Sequence, residues 1–200
     1  LGLLYAAITQ FLGFTPHSDE WKVMALAAYG DSYSAAAKKV TNLFFKKKDG
    51  QYEIDLSMFT YYLFDQKPKF YNDKLLDLLG KDRKKNEPIL KRHKDIAAGM
   101  QASFEIIVLH QLDFLYKQTK CSNLCLAGGA AMNSVFNGKI LGKTKFKKLY
   151  IPPFPDDTGV SIGAALYDYY NSNNEGKKRF RQQDGIGKSK YTISYHDGKQ

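Results

Sequence analysis

The longest periodic pattern in the chain lies between residues 95 and 119, where apolar residues recur every three or four positions. The recurring positions are Ile96, Met100, Phe104, Ile107, Val108, Leu112 and Leu115. This spacing places side chains on one face of a helix, so the segment is predicted to be an amphipathic helix of about six to seven turns.

Shorter patterns predict the elements that precede this helix. Residues 1–14 form a helical apolar stripe that ends at Gly13, and residues 21–29 form a second helix that ends at Gly30. Residues 34–46 favour a helix with a basic end. If residues 43–45 are extended instead, they would pair as a hairpin with the alternating strand at residues 51–56.

The remaining pattern predicts a helix at residues 72–79, a strand at residues 148–152 and a helix from Thr158 onward. From residue 171 the composition becomes polar, which predicts a linker or tail over residues 171–200. The preceding residues, 1–170, are predicted to form one domain. The first residue is Leu rather than Met, so we expect the chain to be a fragment.

A glycine turn follows four apolar residues at positions 124–127. These residues are predicted to form a buried strand, Gly128 and Gly129 a tight turn, and residues 130–141 a helix with Met132, Phe136 and Ile140 on one face. Glycine reaches positive φ, and a helix N-terminus offers free N–H groups, so the segment is a candidate site for a nucleotide or other anion. The alternative is a tight connection with no ligand.

The net charge of the chain does not indicate a particular partner. The formal net charge is +10, but the lysines and arginines are dispersed along the chain. A basic stripe with interleaved aromatic residues would indicate nucleic-acid binding, and a dispersed excess is more typical of a solvated surface. The composition therefore argues against a nucleic-acid partner.

The two cysteines, Cys121 and Cys125, fit neither a redox pair nor a zinc site by their spacing. Cys125 lies in the apolar strand and is predicted to be a small core residue. Cysteine usage indicates a reducing, cytoplasmic setting. No apolar run approaches the roughly 18 residues that span a bilayer, so no membrane association is expected.

Carboxylates precede two of the predicted helices. Glu20 opens the second helix with Lys22 beside it, and Asp156 and Asp157 stand just before Thr158. In a first helical turn Glu20 can simply offset the helix dipole, and the two aspartates can simply cap the helix that follows them. They can also bind ligand hydroxyls, in the case of Glu20, or a hard cation, in the case of the two aspartates.

Histidines do not predict a metal site. None of His17, His93 and His110 has a second histidine four residues away, and lone histidines are more often structural or solvated.

Four blocks in this order and spacing resemble the nodulation-factor and antibiotic-biosynthesis O-carbamoyltransferases. They are residues 1–14, residues 20–30 (EWKVMALAAYG), residues 93–101 (HKDIAAGMQ), and a last block from LAGGAAMN at 126–133 through PFPDDTG at 153–159 to GAAL at 163–166. The resemblance covers about residues 1–170, as the second half of the family's amino-terminal domain.

The resemblance implies an α/β fold, here the helix-rich lobe, with a small sheet, of an actin/hexokinase-like (ribonuclease H-like) ATP-binding domain. It also implies transfer of a carbamoyl group from carbamoyl-adenylate, made from ATP and carbamoyl phosphate, to a hydroxyl of a sugar or natural-product acceptor. The implied partners are an upstream half of the domain and a YrdC-like domain of the same protein, neither of which lies in these residues.

By position, the resemblance implies roles for individual residues. Gly128, Gly129, Asn133 and Gly159 would bind the adenylate, and Glu20 its ribose hydroxyls, with Lys22 beside it as a catalytic residue. Asp157 would be catalytic as the ligand of a divalent metal, iron or similar, whose remaining ligands lie outside the chain.

Departures from the family pattern leave alternatives open. Asp156 stands where the family usually has glycine, so either Asp156 or Asp157 is a candidate metal ligand. The threonylcarbamoyl-tRNA synthesis proteins carry similar blocks, although residues 20–30 favour the O-carbamoyltransferases. A non-catalytic nucleotide-binding module of the same superfamily is the other alternative.

Overall fold

A computed structural model describes residues 1–60 and 68–172 and shows a helix-rich α/β protein. Its helices are α1 (Gly2–Phe11), α2 (Glu20–Ala27), α3 (Ala35–Thr41), α4 (Asp73–Leu79), α5 (Lys91–Thr119), α6 (Ser134–Asn137), α7 (Ile140–Lys143) and α8 (Val160–Ser172). Its strands are β1 (Phe44–Lys46), β2 (Tyr52–Ile54), β3 (Asn123–Cys125) and β4 (Lys148–Tyr150). Single 3₁₀ turns lie at Leu56–Met58, Gly129–Met132 and Asp157–Gly159.

The long helix α5 is the centre of the core, and α1, α2 and α3 pack against it. Its predicted apolar face is buried at Ile96, Met100, Phe104, Ile107 and Leu112. The helix begins at Lys91, four residues before the predicted start, because His93 Nδ1 accepts a 3.0 Å hydrogen bond from the Leu90 N–H and so caps it.

Helices α3 and α5 approach so closely that their contact requires a glycine. A Cβ at Gly99 would lie 2.7 Å from the Cα and carbonyl oxygen of Ala37, which is itself fully buried. Any larger residue at 99 would force the helices apart, so this position fixes how α3 sits on α5.

The hairpin alternative for residues 43–45 is confirmed, and the longer helix at residues 34–46 is wrong. Helix α3 ends at Thr41, and β1 pairs antiparallel with β2, with Phe44 opposite Ile54. Phe44 and Ile54 both pack on the core, which stabilises the extended alternative.

Strands β3 and β4 pair in parallel, with Leu124 opposite Leu149. Leu124 is buried, whereas Cys125 is exposed, so the prediction of a core cysteine was wrong. Successive strand residues point to opposite faces, and Leu124 takes the face that meets the core.

The helix predicted at residues 130–141 is broken into the 3₁₀ turn Gly129–Met132, α6 and α7. The break falls at Asn133, whose ψ of 86° is not helical and whose side chain accepts a 3.0 Å hydrogen bond from the Phe136 N–H. Phe136 and Ile140 are buried, but Met132 is exposed, so the three residues predicted on one helical face do not share one environment. The helix-dipole part of the anion-site prediction therefore loses its basis, because no long helix starts at the turn.

Among the described residues, no helix combines the length and the apolar character needed to cross a membrane. Most of the linker predicted at residues 171–200 lies outside the described residues; positions 171 and 172 end helix α8. The α/β class is confirmed, with two two-stranded sheets in the described part rather than one.

Candidate functional site

The glycine turn lies between the end of β3 and the segment that follows β4. The Leu126 N–H donates to the Tyr150 carbonyl at 2.9 Å, and the Gly128 N–H donates to the carbonyl of Pro155. The turn and the proline-rich segment that carries Asp156 and Asp157 are thus bonded through their backbones. This pairing brings the two parts of the last sequence block together.

The two glycines have different structural roles. Gly128 has φ of 94°, a conformation that residues with a Cβ rarely adopt, whereas the φ of Gly129 is not positive. A Cβ built on either would have no described atom within 4 Å. The turn therefore faces open space, which is the condition for a ligand to reach its backbone.

Asn133 is held at the end of this turn by a pair of amide hydrogen bonds. Its Nδ2 donates to Gln101 Oε1 at 2.9 Å, and its Oδ1 accepts from Gln101 Nε2 at 3.1 Å. Oδ1 also caps α6 by accepting from the Phe136 N–H. The side chain is half-buried and its orientation is fixed from two directions.

Helix α2 borders the same region. Ser134, next to Asn133, approaches Met24 of α2, with Oγ 3.8 Å from the sulfur. Glu20 lies close to Tyr5 of α1. Burial of the Tyr5 hydroxyl, followed by the negative charges of Glu20 and Glu105, raises its pKa above the ordinary tyrosine value.

The structure gives Glu20 and Lys22 local partners. Glu20 is the first residue of α2, and its Oε1 accepts a 2.7 Å hydrogen bond from the His17 N–H in the preceding loop rather than from an N–H of the helix. Lys22 Nζ pairs with Asp19 at 2.8 Å and lies 5.4 Å from the Trp21 ring centre. The second oxygen of Glu20 has no hydrogen-bond partner among the described residues, so a ligand contact there is compatible with the bond from His17.

The two adjacent aspartates are in different environments. Asp156 Oδ1 accepts from both the N–H and the hydroxyl of Thr158 and so caps the turn Asp157–Gly159. Asp157 is exposed, and its side chain has no hydrogen bond or ion pair within the described part of the chain, although its backbone carbonyl accepts from the Val160 N–H. Asp156 therefore holds the turn with one of its oxygens, and Asp157 is the carboxylate with both oxygens open to a ligand.

Gly159 is required for packing. A Cβ at this position would overlap the carbonyl oxygen of Phe154. Its contact with a cofactor stays a prediction, because the packing alone explains the glycine.

Residues 1–60 and 68–172 contain no cluster of three metal-ligating side chains. His110 Nε2 lies 2.9 Å from the Lys47 carbonyl oxygen at the hairpin, and His93 caps α5. These two histidines have structural roles, as predicted. Asp157 alone fits one ligand of a hard cation, and further ligands would have to come from outside the described residues.

Two buried polar residues of α5 were not singled out by sequence reasoning. Gln101 joins α1 to the glycine turn, and Asp95 accepts a hydrogen bond from the Asp31 N–H. The available signal for Gln101 was its position: it lies three residues before Phe104 and four after Ala97, on the apolar face of the helix. A polar residue on such a face needs a buried partner.

The fold and the site define an α/β protein with an open glycine turn beside an unpaired carboxylate. The chain belongs to the carbamoyltransferase N-terminus family, whose model matches residues 1–166. This match confirms the resemblance of the four sequence blocks.

Relatives cover most of this chain. It is 40% identical over 167 residues to an uncharacterized protein of Synechocystis, 35% over 170 residues to nodulation protein NolNO of Sinorhizobium fredii, and 34% over 170 residues to nodulation protein NolO of Bradyrhizobium diazoefficiens. Each alignment includes 83% of this chain but only 26%, 22% and 28% of the respective relative. The chain thus spans about a quarter of their length.

Proposed function

We propose that this chain is part of an enzyme that transfers a carbamoyl group from carbamoyl-adenylate to a hydroxyl of a sugar or natural-product acceptor. The observation that carries the proposal is the match of the carbamoyltransferase N-terminus family over residues 1–166. The open glycine turn supports a nucleotide as the ligand, because its backbone can be approached without displacing any described side chain.

The proposed nucleotide site consists of the glycine turn and the start of α2. Gly128 and Gly129 present backbone to the adenylate, and Asn133 donates from its side-chain amide. Glu20 accepts from the ribose hydroxyls with the oxygen that does not bond to His17. Lys22 and Gly159 are assigned to the same site by their positions in the family blocks.

Asp157 is the proposed protein ligand of a divalent cation such as iron. Its exposure and its lack of a partner among the described residues support this choice over Asp156, whose oxygen is occupied by Thr158. A cation held there would polarise the carbamoyl carbonyl or offset phosphate charge. Its other ligands would come from outside this chain.

The larger assembly is also a proposal. The α/β lobe would belong to an actin/hexokinase-like domain, completed by an upstream half, and would receive carbamoyl-adenylate from a YrdC-like domain of the same protein. A cytoplasmic setting fits substrates made from ATP.

An isosteric pair of variants in the full-length protein tests this function. Asp157→Asn should reduce carbamoyl transfer more than about 100-fold, because a neutral amide oxygen binds a divalent cation more weakly than a charged carboxylate does. Asp156→Asn should retain most activity, since its amide oxygen can still accept from Thr158. Both variants should keep the wild-type melting temperature.

Full turnover by Asp157→Asn would exclude the proposed role of Asp157. Binding of ADP without any carbamoyl transfer by the wild-type protein would instead identify a non-catalytic nucleotide-binding module.

A further inference from the structure

Gln101 is the centre of a buried hydrogen-bond network that connects three parts of the fold. Its Oε1 accepts from the Tyr5 hydroxyl of α1 at 3.0 Å and from Asn133 Nδ2 at 2.9 Å. Its Nε2 donates to Glu105 Oε1 at 2.9 Å and to Asn133 Oδ1 at 3.1 Å. Gln101 is only 5% exposed, and every hydrogen-bonding position of its amide is used.

The network is anchored at both ends. Glu105 Oε1 also pairs with Lys139 Nζ at 2.6 Å, and the Tyr5 ring packs edge-on against Phe104 with 6.0 Å between ring centres. Tyr5 is itself buried. The amide of Gln101 therefore has one orientation, because a flip would set its N–H groups against the Asn133 amide N–H and its oxygen against Glu105.

This orientation determines which polar group Asn133 has left. Asn133 Oδ1 accepts from Gln101 and from the Phe136 N–H, so both of its acceptor positions are used. Nδ2 gives one of its two hydrogens to Gln101. The other hydrogen has no acceptor among the described residues. Asn133 can thus offer a ligand one donor and no acceptor.

We propose that Gln101 is a positioning residue that orients the Asn133 amide, so that Asn133 presents a single N–H donor to an acceptor atom of the bound nucleotide. This inference rests on the proposed nucleotide site and adds its polarity: at Asn133 the site selects a ligand oxygen or unprotonated nitrogen. Gln101 itself makes no ligand contact.

The test measures ADP binding to the full-length protein by titration calorimetry, with melting temperatures for each variant. Gln101→Leu should weaken ADP binding about tenfold, because Asn133 then keeps only the Phe136 N–H bond at Oδ1 and its Nδ2 end is no longer held. The matched control is Ser103→Ala, a buried hydroxyl two residues further along α5 that bonds only to the Gly99 carbonyl. It should bind ADP as wild type does.

A double-mutant cycle separates positioning from a general loss of structure. Asn133→Ser keeps an oxygen that can cap α6 but cannot reach Gln101 as the amide does, and it should weaken ADP binding about tenfold. Adding Gln101→Leu to Asn133→Ser should change the affinity by less than about twofold. Fully additive effects would overturn the proposal, since Gln101 would then act independently of Asn133.

Tyr5→Phe provides a second route if Gln101→Leu does not fold. It removes only the hydroxyl that holds Gln101 Oε1, and it should weaken ADP binding about two- to fivefold. Wild-type affinity in Tyr5→Phe, or in a folded Gln101→Leu, would overturn the positioning role while leaving the nucleotide site in place. A wild-type protein that binds no ADP would overturn the nucleotide site itself, and this inference with it.

Discussion

Asp95 Oδ1 accepts a 2.9 Å hydrogen bond from the backbone N–H of Asp31, and Asp95 Oδ2 pairs with Lys91 at 2.7 Å. Gly30, beside Asp31, has no room for a Cβ, which would overlap the carbonyl of Lys94. The contact of Gly30 with Lys94 and the bond of Asp31 to Asp95 therefore hold two of the sequence blocks together. These blocks are residues 20–30, at the end of α2, and residues 93–101 of α5. The burial of Asp95 tends to raise its pKa, but the bonds from Asp31 and Lys91 outweigh it and lower the pKa overall.

Asp95→Ala should destabilise the protein by about 2–4 kcal/mol, because it leaves the Asp31 N–H without its partner and removes a buried acceptor. The measurement is the free energy of unfolding in urea. The matched control is Asp113→Ala on the same helix, where an exposed carboxylate pairs with Lys117 at 2.6 Å. That change should cost less than about 0.5 kcal/mol. Equal effects of the two variants would contradict the structural role of Asp95.

The glycine turn predicts opposite outcomes for its two glycines. Gly128→Ala should destabilise the protein by about 1–2 kcal/mol, because its φ of 94° strains any residue with a Cβ. Gly129→Ala should leave stability within about 0.5 kcal/mol of wild type, yet weaken ADP binding, since its methyl group would project into open space in front of the turn.

Gly142→Ala is the control for this pair. Gly142 lies in α7, where a Cβ also meets no described atom, and the change should affect neither stability nor ADP binding strongly. Wild-type ADP affinity in Gly129→Ala would show that the ligand does not approach the turn at this residue.

Glu20→Gln tests the proposed ribose contact. The amide oxygen can still accept from the His17 N–H, so the melting temperature should stay unchanged. Loss of the charge should weaken ADP binding about five- to tenfold, because charged acceptors bind hydroxyls more strongly than neutral ones. Glu53→Gln, which removes an exposed charge from the hairpin pair with Lys47, should bind ADP normally. A similar loss in both variants would indicate only a general effect of charge.

The hydrogen bond that His93 accepts at the start of α5 predicts that the protein loses stability in mild acid. The Nδ1 of His93 must be unprotonated to accept from the Leu90 N–H. Burial first, and then the positive charges of Arg92 and Arg83, lower its pKa below the usual value of about 6.5, while Glu87 opposes the shift. The neutral ring therefore stabilises the fold fully above about pH 6.5, and this contribution is lost as the pH falls through the lower folded pKa.

Urea unfolding of wild type and His93→Gln between pH 7.5 and 5 measures this contribution. The stability difference between them should shrink as the pH falls. A constant difference between wild type and His93→Gln would show that protonation of His93 does not affect the fold.

The elements that depend only on neighbouring residues were determined by the sequence alone. The apolar period gave the buried face of α5, and Gly128 gave the position of the turn, because only glycine adopts its φ without strain. The order of the four blocks indicated the carbamoyltransferase N-terminus family that the family model then matched.

Tertiary contacts decided the features that depend on distant residues. Asn133 ends the 3₁₀ turn and bonds to Gln101, 32 residues away, whose amide is held by Tyr5, 96 residues away. Contacts between residues so far apart in the chain produce no periodic pattern from which the sequence could predict them. The choice between a helix and a strand at residues 44–46 likewise depended on pairing with β2.

The two aspartates show the same division. The sequence placed Asp156 and Asp157 together before a helix and left either one as the candidate ligand. Only the folded turn, in which Thr158 bonds to Asp156 and Asp157 stays exposed, distinguishes them. The sequence supplied the two carboxylates, and the backbone geometry decided their environments, because the side chain of Asp156 accepts from Thr158 in the turn and the side chain of Asp157 has no such bond.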